Sequence, residues 1–353
     1  MPQPASAARI EWVDYAKGIC IVLVVMMHST LGVEKAVGEI SWLNGFIEWA
    51  RPFRMPDFFL LSGLFLASRI NRPWRSYLDA KVLHFVYFYV LWMTIQFAVK
   101  SHGLYQSEGL LGMLRAYPVG LIEPFGTLWF IYLLAVFFIA AKALRRMPPF
   151  LVFAAGAFLE ILPIETGMLL VDEFASRFVY FFTGYWLSSY VFAFAARAGR
   201  KSVPMVLAGL VMWALANDVL VGGGWAKLPV ISLVMGFVGA AAVVSLGVLL
   251  SKTRLAEPLR YCGENSIVIY LAFFLFMAAA RTALLKMDVV HDLGLVSLTV
   301  TAAGVAGPIL LFWAVRNSWA SFLFRRPAWA RLASPGHGWH SGGHAEIASP
   351  QAR

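Results

Sequence analysis

Charge is scarce in this chain. Asp, Glu, Lys and Arg make up 14% of its 353 residues, against roughly 25% in a soluble globular domain. That shortage excludes a disordered or solvated protein and makes an ordinary water-soluble enzyme a poor fit. Cysteine is nearly missing. Cys20 and Cys262 both stand in or beside apolar blocks, too few for a disulfide-stapled scaffold, and read as small core residues rather than metal ligands. The first apolar block lacks a small-residue cleavage site and reads as an uncleaved anchor. No polar connection is long enough for a separate folded domain, and no internal repeat is evident.

What the chain has is apolar surface. Residues of the AVILMFWYC set make up 60%, and mean hydropathy is +0.72. They lie in long blocks separated by short charged clusters, the pattern of a polytopic membrane protein. Ten segments approach the length a spanning helix needs: residues 18–34, 55–70, 83–99, 126–144, 149–163, 178–196, 203–221, 228–250, 265–285 and 293–315. The fold expected is all-α, a polytopic membrane helical bundle of about ten transmembrane helices. Residues 9–317 form its single domain, residues 1–8 a disordered N-terminus and 327–353 a disordered cytoplasmic tail. The tail histidines His337, His340 and His344 belong to that solvated tail, and no metal site is expected.

The net charge is +10, which invites a nucleic-acid reading, but its distribution argues otherwise. With the N-terminus cytoplasmic, most of the 29 basic residues fall in inner connections and most of the 19 acidic ones outside. This is the positive-inside pattern, with both termini cytoplasmic. It implies a multi-pass protein of the cell (inner) membrane that meets lipid and no nucleic acid.

Ionisable groups inside a span mark function by default. In the first span Lys17 and His28 are 11 residues apart, about 1100° of helical rotation and so about 20° from three full turns. They share one face with Asp14, Ile21 and Val24. The rise is about 16 Å, which places Lys17 at the inner boundary and His28 near mid-bilayer. Asp14, one turn below Lys17, is positioned to pair with it. A second cluster, Arg51-Pro52-Phe53-Arg54-Met55-Pro56-Asp57, precedes the second span at the outer face. Pro56 is expected to start that helix, and the cluster reads equally as a self-paired helix start or a substrate mouth. Trp129, opening the fourth span, reads locally as an interfacial anchor. Lys81 and His84 begin the third span, Arg281 near the outer end of the ninth is placed to snorkel, and Glu264 and Asn265 read as helix-terminal caps.

These residues carry a resemblance. Asp14-x-x-Lys17-Gly18 followed by an apolar run to His28 resembles the opening motif of the membrane acyltransferase 3 family. Met55-Pro56-Asp57-Phe58-Phe59-Leu60-Leu61-Ser62-Gly63, Leu128-Trp129-Phe130 and Gly263-Glu264-Asn265-Ser266-Ile267-Val268-Ile269-Tyr270-Leu271 are similar to its later motifs, in the same order. There are two departures. Lys17 stands where Arg is commoner, losing a bidentate phosphate fork, and Ala272 and Phe273 follow Tyr270-Leu271 where many members have a His.

The resemblance implies an O-acyltransferase that moves an acyl group, often acetyl, from cytoplasmic acyl-CoA to a hydroxyl of an envelope glycan or other sugar. It implies no bound cofactor, with acetyl-CoA as co-substrate. On that reading His28, Lys17 and Asp14 form the catalytic set, with His28 either general base or acyl carrier. Lys81, His84, Arg72 and Arg75 hold the donor, and Arg51, Arg54, Asp57 and Trp129 face the acceptor. The alternative from another class is a transporter or glycan exporter with an intramembrane His relay.

Overall fold

The computed structural model describes residues 10–253, 256–287 and 290–332. Among them every regular element is helical. Thirteen α-helices follow in chain order: α1 (Glu11–Val37), α2 (Leu43–Gly63), α3 (Trp74–Leu78), α4 (His84–Ile122), α5 (Trp129–Ala143), α6 (Pro149–Ile161), α7 (Leu169–Trp186), α8 (Ser188–Arg200), α9 (Val203–Gly222), α10 (Pro229–Thr253), α11 (Glu257–Glu264), α12 (Ser266–Met287) and α13 (Leu293–Val315). A turn of π-helix, Asp79–Leu83, joins α3 to α4.

Six of the described helices are long and apolar enough to cross a bilayer: α1, α3–α4 as one element, α9, α10, α12 and α13. α7 and α8 add a seventh span if the pair, bent by 75°, is counted as one. The ten expected segments all fall on helix or the turns beside it, but three of the others fail on length or polarity. α2 carries Glu48, Arg51, Arg54 and Asp57. α5 has 15 residues and α6 has 13, about 22 and 20 Å at 1.5 Å per residue against a hydrocarbon core of about 30 Å.

α1 is the axis. It packs against α2, α10, α11, α12 and α13, and Tyr15, Ala16, Cys20, Ile21 and Val25 are fully enclosed. The cysteines are free and buried, as expected of core residues. α9 is the opposite case: its outer face is exposed, with Met212 72% and Val219 71% accessible, and it is held by Asn217, whose Nδ2 donates to the Trp49 carbonyl at 2.8 Å.

The bundle has two chemically distinct poles. At one, Lys142 Nζ donates to the carbonyls of Ile70 and Arg72, Lys252 Nζ donates to the Lys201 carbonyl, and Arg326 pairs with Asp79 at 3.0 Å. Lys17 lies there as well, with Nζ 5.6 Å from the Phe65 ring centre. At the other pole, Glu34 accepts from the Ser41 amide, the Ser41 hydroxyl and Asn44, and Trp42 Nε1 donates to Asp292 at 3.0 Å. Asp172 there accepts from the amides of Thr166 and Gly167, and Arg177 pairs with Glu173 at 3.1 Å.

Two local expectations are corrected, Pro56 and the start of the tail. Pro56 does not start the second helix: α2 begins at Leu43 and takes both Pro52 and Pro56 inside. A proline lacks the N–H that would return to the carbonyl four residues earlier, and neighbouring helices shelter the gap, as membrane helices allow. The stretch 100–122 continues α4, broken at Gly109, whose φ of 72° a side chain rarely adopts. Residues 327–332, expected in a disordered tail, pack on the bundle: Leu332 N donates to Asp79 Oδ1 at 2.8 Å and Arg75 Nη2 donates to the Leu332 carbonyl at 3.1 Å. Residues 1–9 and 333–353, with the three tail histidines, lie outside the described residues.

α2 and α7 touch backbone to backbone. A Cβ on Gly63 would strike the Phe181 carbonyl, and one on Gly184 the Leu60 carbonyl. Gly184→Ala should cost about 1–3 kcal/mol by overpacking, read as a lower midpoint of thermal unfolding in detergent. Gly209→Ala, where a Cβ meets nothing, should leave the midpoint unchanged; equal midpoints for both variants would contradict the packing.

Candidate active site

The four motifs meet at mid-depth. His28 lies on α1 about 16 Å along the axis from Lys17. It is partly buried, and its ring centre is 5.3 Å from that of Phe273 on α12. Phe273 lies 6.1 Å from Tyr270, and Tyr270 is 5.4 Å from Phe130 at the start of α5. Phe58 and Phe59 of α2 pack on Phe130 at 4.5 and 4.7 Å, and Phe59 reaches Trp129 at 6.2 Å.

The polar bonds explain why α5 starts where it does. Its short length leaves its first amides inside the bundle, where an unpaired N–H is costly. The Tyr270 hydroxyl donates to the Thr127 carbonyl at 2.5 Å and accepts from the Phe130 amide at 3.0 Å. Gln96 Nε2 donates to the Thr127 hydroxyl at 3.1 Å. The Tyr89 hydroxyl donates to the Gly120 carbonyl and accepts from the Phe125 amide. Residues 123–128 therefore form a loop dipping into the bundle, latched by α4 and α12, and Trp129 is partly buried against the core.

Among the described residues no hydrogen bond holds the His28 imidazole. A histidine whose task is to bridge helices would have a partner, so His28 is held by packing with its nitrogens uncommitted. The cations whose field reaches it are Arg54 and Lys100. Lys100 lies 5.0 Å from the Phe125 ring centre and 4.5 Å from that of Phe274, and its Nζ is beside the dipping loop at Gly126. Lys100 ends an apolar run, which disguised it as a boundary lysine. Arg281 turns inward instead of snorkelling, with Nη1 donating at 3.1 Å to the carbonyl of Gly32, one turn from His28.

The remaining candidates divide. Arg51 is exposed and paired with Glu48 at 3.2 Å. Arg54 and Asp57 are buried within α2 rather than exposed at a mouth, and neither carboxylate oxygen of Asp57 has a hydrogen-bond partner among the described residues. Lys17, Arg69 and Arg72 act on Lys81, whose Nζ lies 5.0 Å from the Phe138 ring centre, so these cations form one group at the basic pole. His84 packs on Phe88 at 5.0 Å. Arg75 is exposed and bonded to the C-terminal segment. Asp14 is buried one turn from Lys17. Glu264 bonds Arg260, and Asn265, between α11 and α12, donates to the Tyr261 carbonyl at 3.0 Å.

A multi-helix membrane protein with an imidazole at mid-depth and basic groups at one pole belongs, by sequence comparison, to the acyltransferase 3 family. That family's profile, an acyltransferase domain, matches residues 10–316. The chain is thus an acyltransferase of groups other than aminoacyl, which decides against the transporter alternative. It is similar to the inner membrane protein YcfT of Escherichia coli K12, 25% identical over 286 residues, covering 73% of this chain and 77% of that protein. It is also similar to the nodulation protein NolL of Mesorhizobium japonicum, 24% identical over 159 residues, 44% of this chain and 42% of NolL. No solved structure matches.

The Tyr270 hydroxyl is the testable joint of this site. Tyr270→Phe leaves the Phe130 amide and Thr127 carbonyl without that partner, at a cost of about 1–3 kcal/mol. Thermal unfolding in detergent should register the loss. Tyr190→Phe, at a residue 71% exposed, should not; an unshifted Tyr270→Phe would mean that the latch is replaceable.

Proposed function

We propose that the protein transfers an acyl group, acetyl in the first instance, from cytoplasmic acyl-CoA to a hydroxyl of an envelope glycan or other sugar. It does so as a multi-pass protein of the inner membrane, the location named for its relative YcfT. The observation that carries the reading is the partly buried His28 at mid-depth with no hydrogen-bond partner among the described residues. The donor enters from the pole of Lys17, Lys81, Arg72 and Arg75, and the acceptor from the pole of Arg51. The acceptor oxygen attacks the thioester carbonyl carbon while His28 takes the hydroxyl proton. The C–S bond breaks, and the proton passes to the CoA sulfur. Arg54 and Lys100 supply positive charge where the oxyanion develops. Lys17 holds donor phosphate and Asp14 orients Lys17, while Trp129 walls the acceptor side. Asp57 is a buried neighbour of this centre rather than a lining residue.

In native membrane vesicles, which supply the acceptor, His28→Ala and His28→Gln should each lower acceptor-dependent release of CoA from acetyl-CoA by about 100-fold or more. Lys17→Arg should keep most activity and Lys17→Ala should raise the KM for acetyl-CoA. Substantial turnover by a folded His28→Gln protein would reject the catalytic role, because an amide keeps a hydrogen bond but takes no proton.

The same reading places the basic pole in the cytoplasm with about ten crossings. Reporter fusions after residues 75, 146, 200 and 325 should report cytoplasm, and those after 40, 110, 168 and 290 the outside. Reversal at two adjacent connections would overturn the orientation and the assignment of Lys17 to the donor side.

A further inference from the structure

Beyond α13 the chain folds back as a strap, Trp319 to Leu332, across the basic pole. The strap is a built feature. Tyr87 and Trp92 of α4 donate to the carbonyls of Phe322 and Leu323 at 3.0 and 2.9 Å. Arg326 is paired with Asp79, their side chains only 8% and 12% exposed. The strap itself walls an open hollow of about 610 Å³ whose lining includes Trp319, Arg325, Arg326, Trp329 and Arg331, with no acidic residue. Asp79 is already neutralised by Arg326. Arg331 makes one long bond, 3.5 Å to the Arg326 carbonyl, and Arg325 has no acidic partner among the described residues. Two guanidinium groups thus face the cavity uncompensated, beside two tryptophans 86% and 82% exposed. Guanidinium forks match phosphate oxygens, and indole faces stack on planar bases.

We propose that this cavity binds a phosphorylated adenine nucleotide, namely the 3′-phosphoadenosine end of the acyl-CoA, with Arg325 and Arg331 on its 3′-phosphate and a strap tryptophan against the base. The assignment rests on the acyl-CoA reading above. It is favoured over a lipid headgroup because the strap shares the charge group of Lys17: Arg326 and Arg331 act with Lys81 on His84, and Lys17, Arg69 and Arg72 act on Lys81.

The test is calorimetric titration of the full chain in phosphatidylcholine nanodiscs with CoA and with 3′-dephospho-CoA. The wild type should prefer CoA by about ten-fold, the worth of one charge-assisted contact. The double variant Arg325→Ala, Arg331→Ala should lose that preference at an unchanged melting temperature, since neither side chain carries the strap. Arg325→Lys should retain part of it. If CoA binds and the preference survives in the double variant, the cavity assignment is wrong while the donor reading stands. If the variant loses only co-purifying phosphatidylglycerol, the cavity is a lipid site and the proposal fails. If CoA does not bind the wild type at all, the donor reading falls too.

Discussion

A helix that begins inside a bilayer exposes its first amides to a medium without water, and something in the protein must answer them. Here the Tyr270 hydroxyl does so, taking the Phe130 N–H and giving its own proton to the Thr127 carbonyl. Because Tyr270 belongs to α12, the start of α5 is registered to α12 rather than to the membrane surface. Phe273, three residues along the same helix, meets His28. The depth of Trp129 and Phe130, the rings of Phe58 and Phe59 that pack on Phe130, and the environment of His28 all follow from where that hydroxyl sits.

Charge is then sorted by depth. Several cations at the basic pole are spent on carbonyls, as with Lys142, or on single acids, as with Arg326 and Asp79. At mid-depth Arg54, Lys100 and Arg281 point inward, and acids are sparse. An imidazole amid cations without a carboxylate to fix it is poorly suited to structural work, because nothing in its surroundings rewards one orientation over another. It is suited to a reaction in which negative charge appears briefly on a carbonyl oxygen.

The first helix was legible from sequence because eleven residues at 100° bring Lys17 and His28 to one face whatever surrounds them. The motif order was legible too, and so were the buried thiols. α2 was not. Hydropathy measures transfer into lipid, and a helix bearing Arg54 and Asp57 scores poorly although α7, α9 and α10 cover it. Its two prolines look like a start signal when read locally. Lys100 was missed because a lysine closing an apolar run is the ordinary mark of a boundary, and only the dipping loop turns it inward. The partnership of Tyr270 with Thr127 spans 143 residues, a separation at which no local pattern carries information.

The latch has a consequence for synthesis. The loop and α5 leave the ribosome long before α12, yet their depth is fixed by a hydroxyl on that later helix. The strap that returns to Asp79 emerges later still. An unfinished chain therefore lacks the packed seat of the His28 ring.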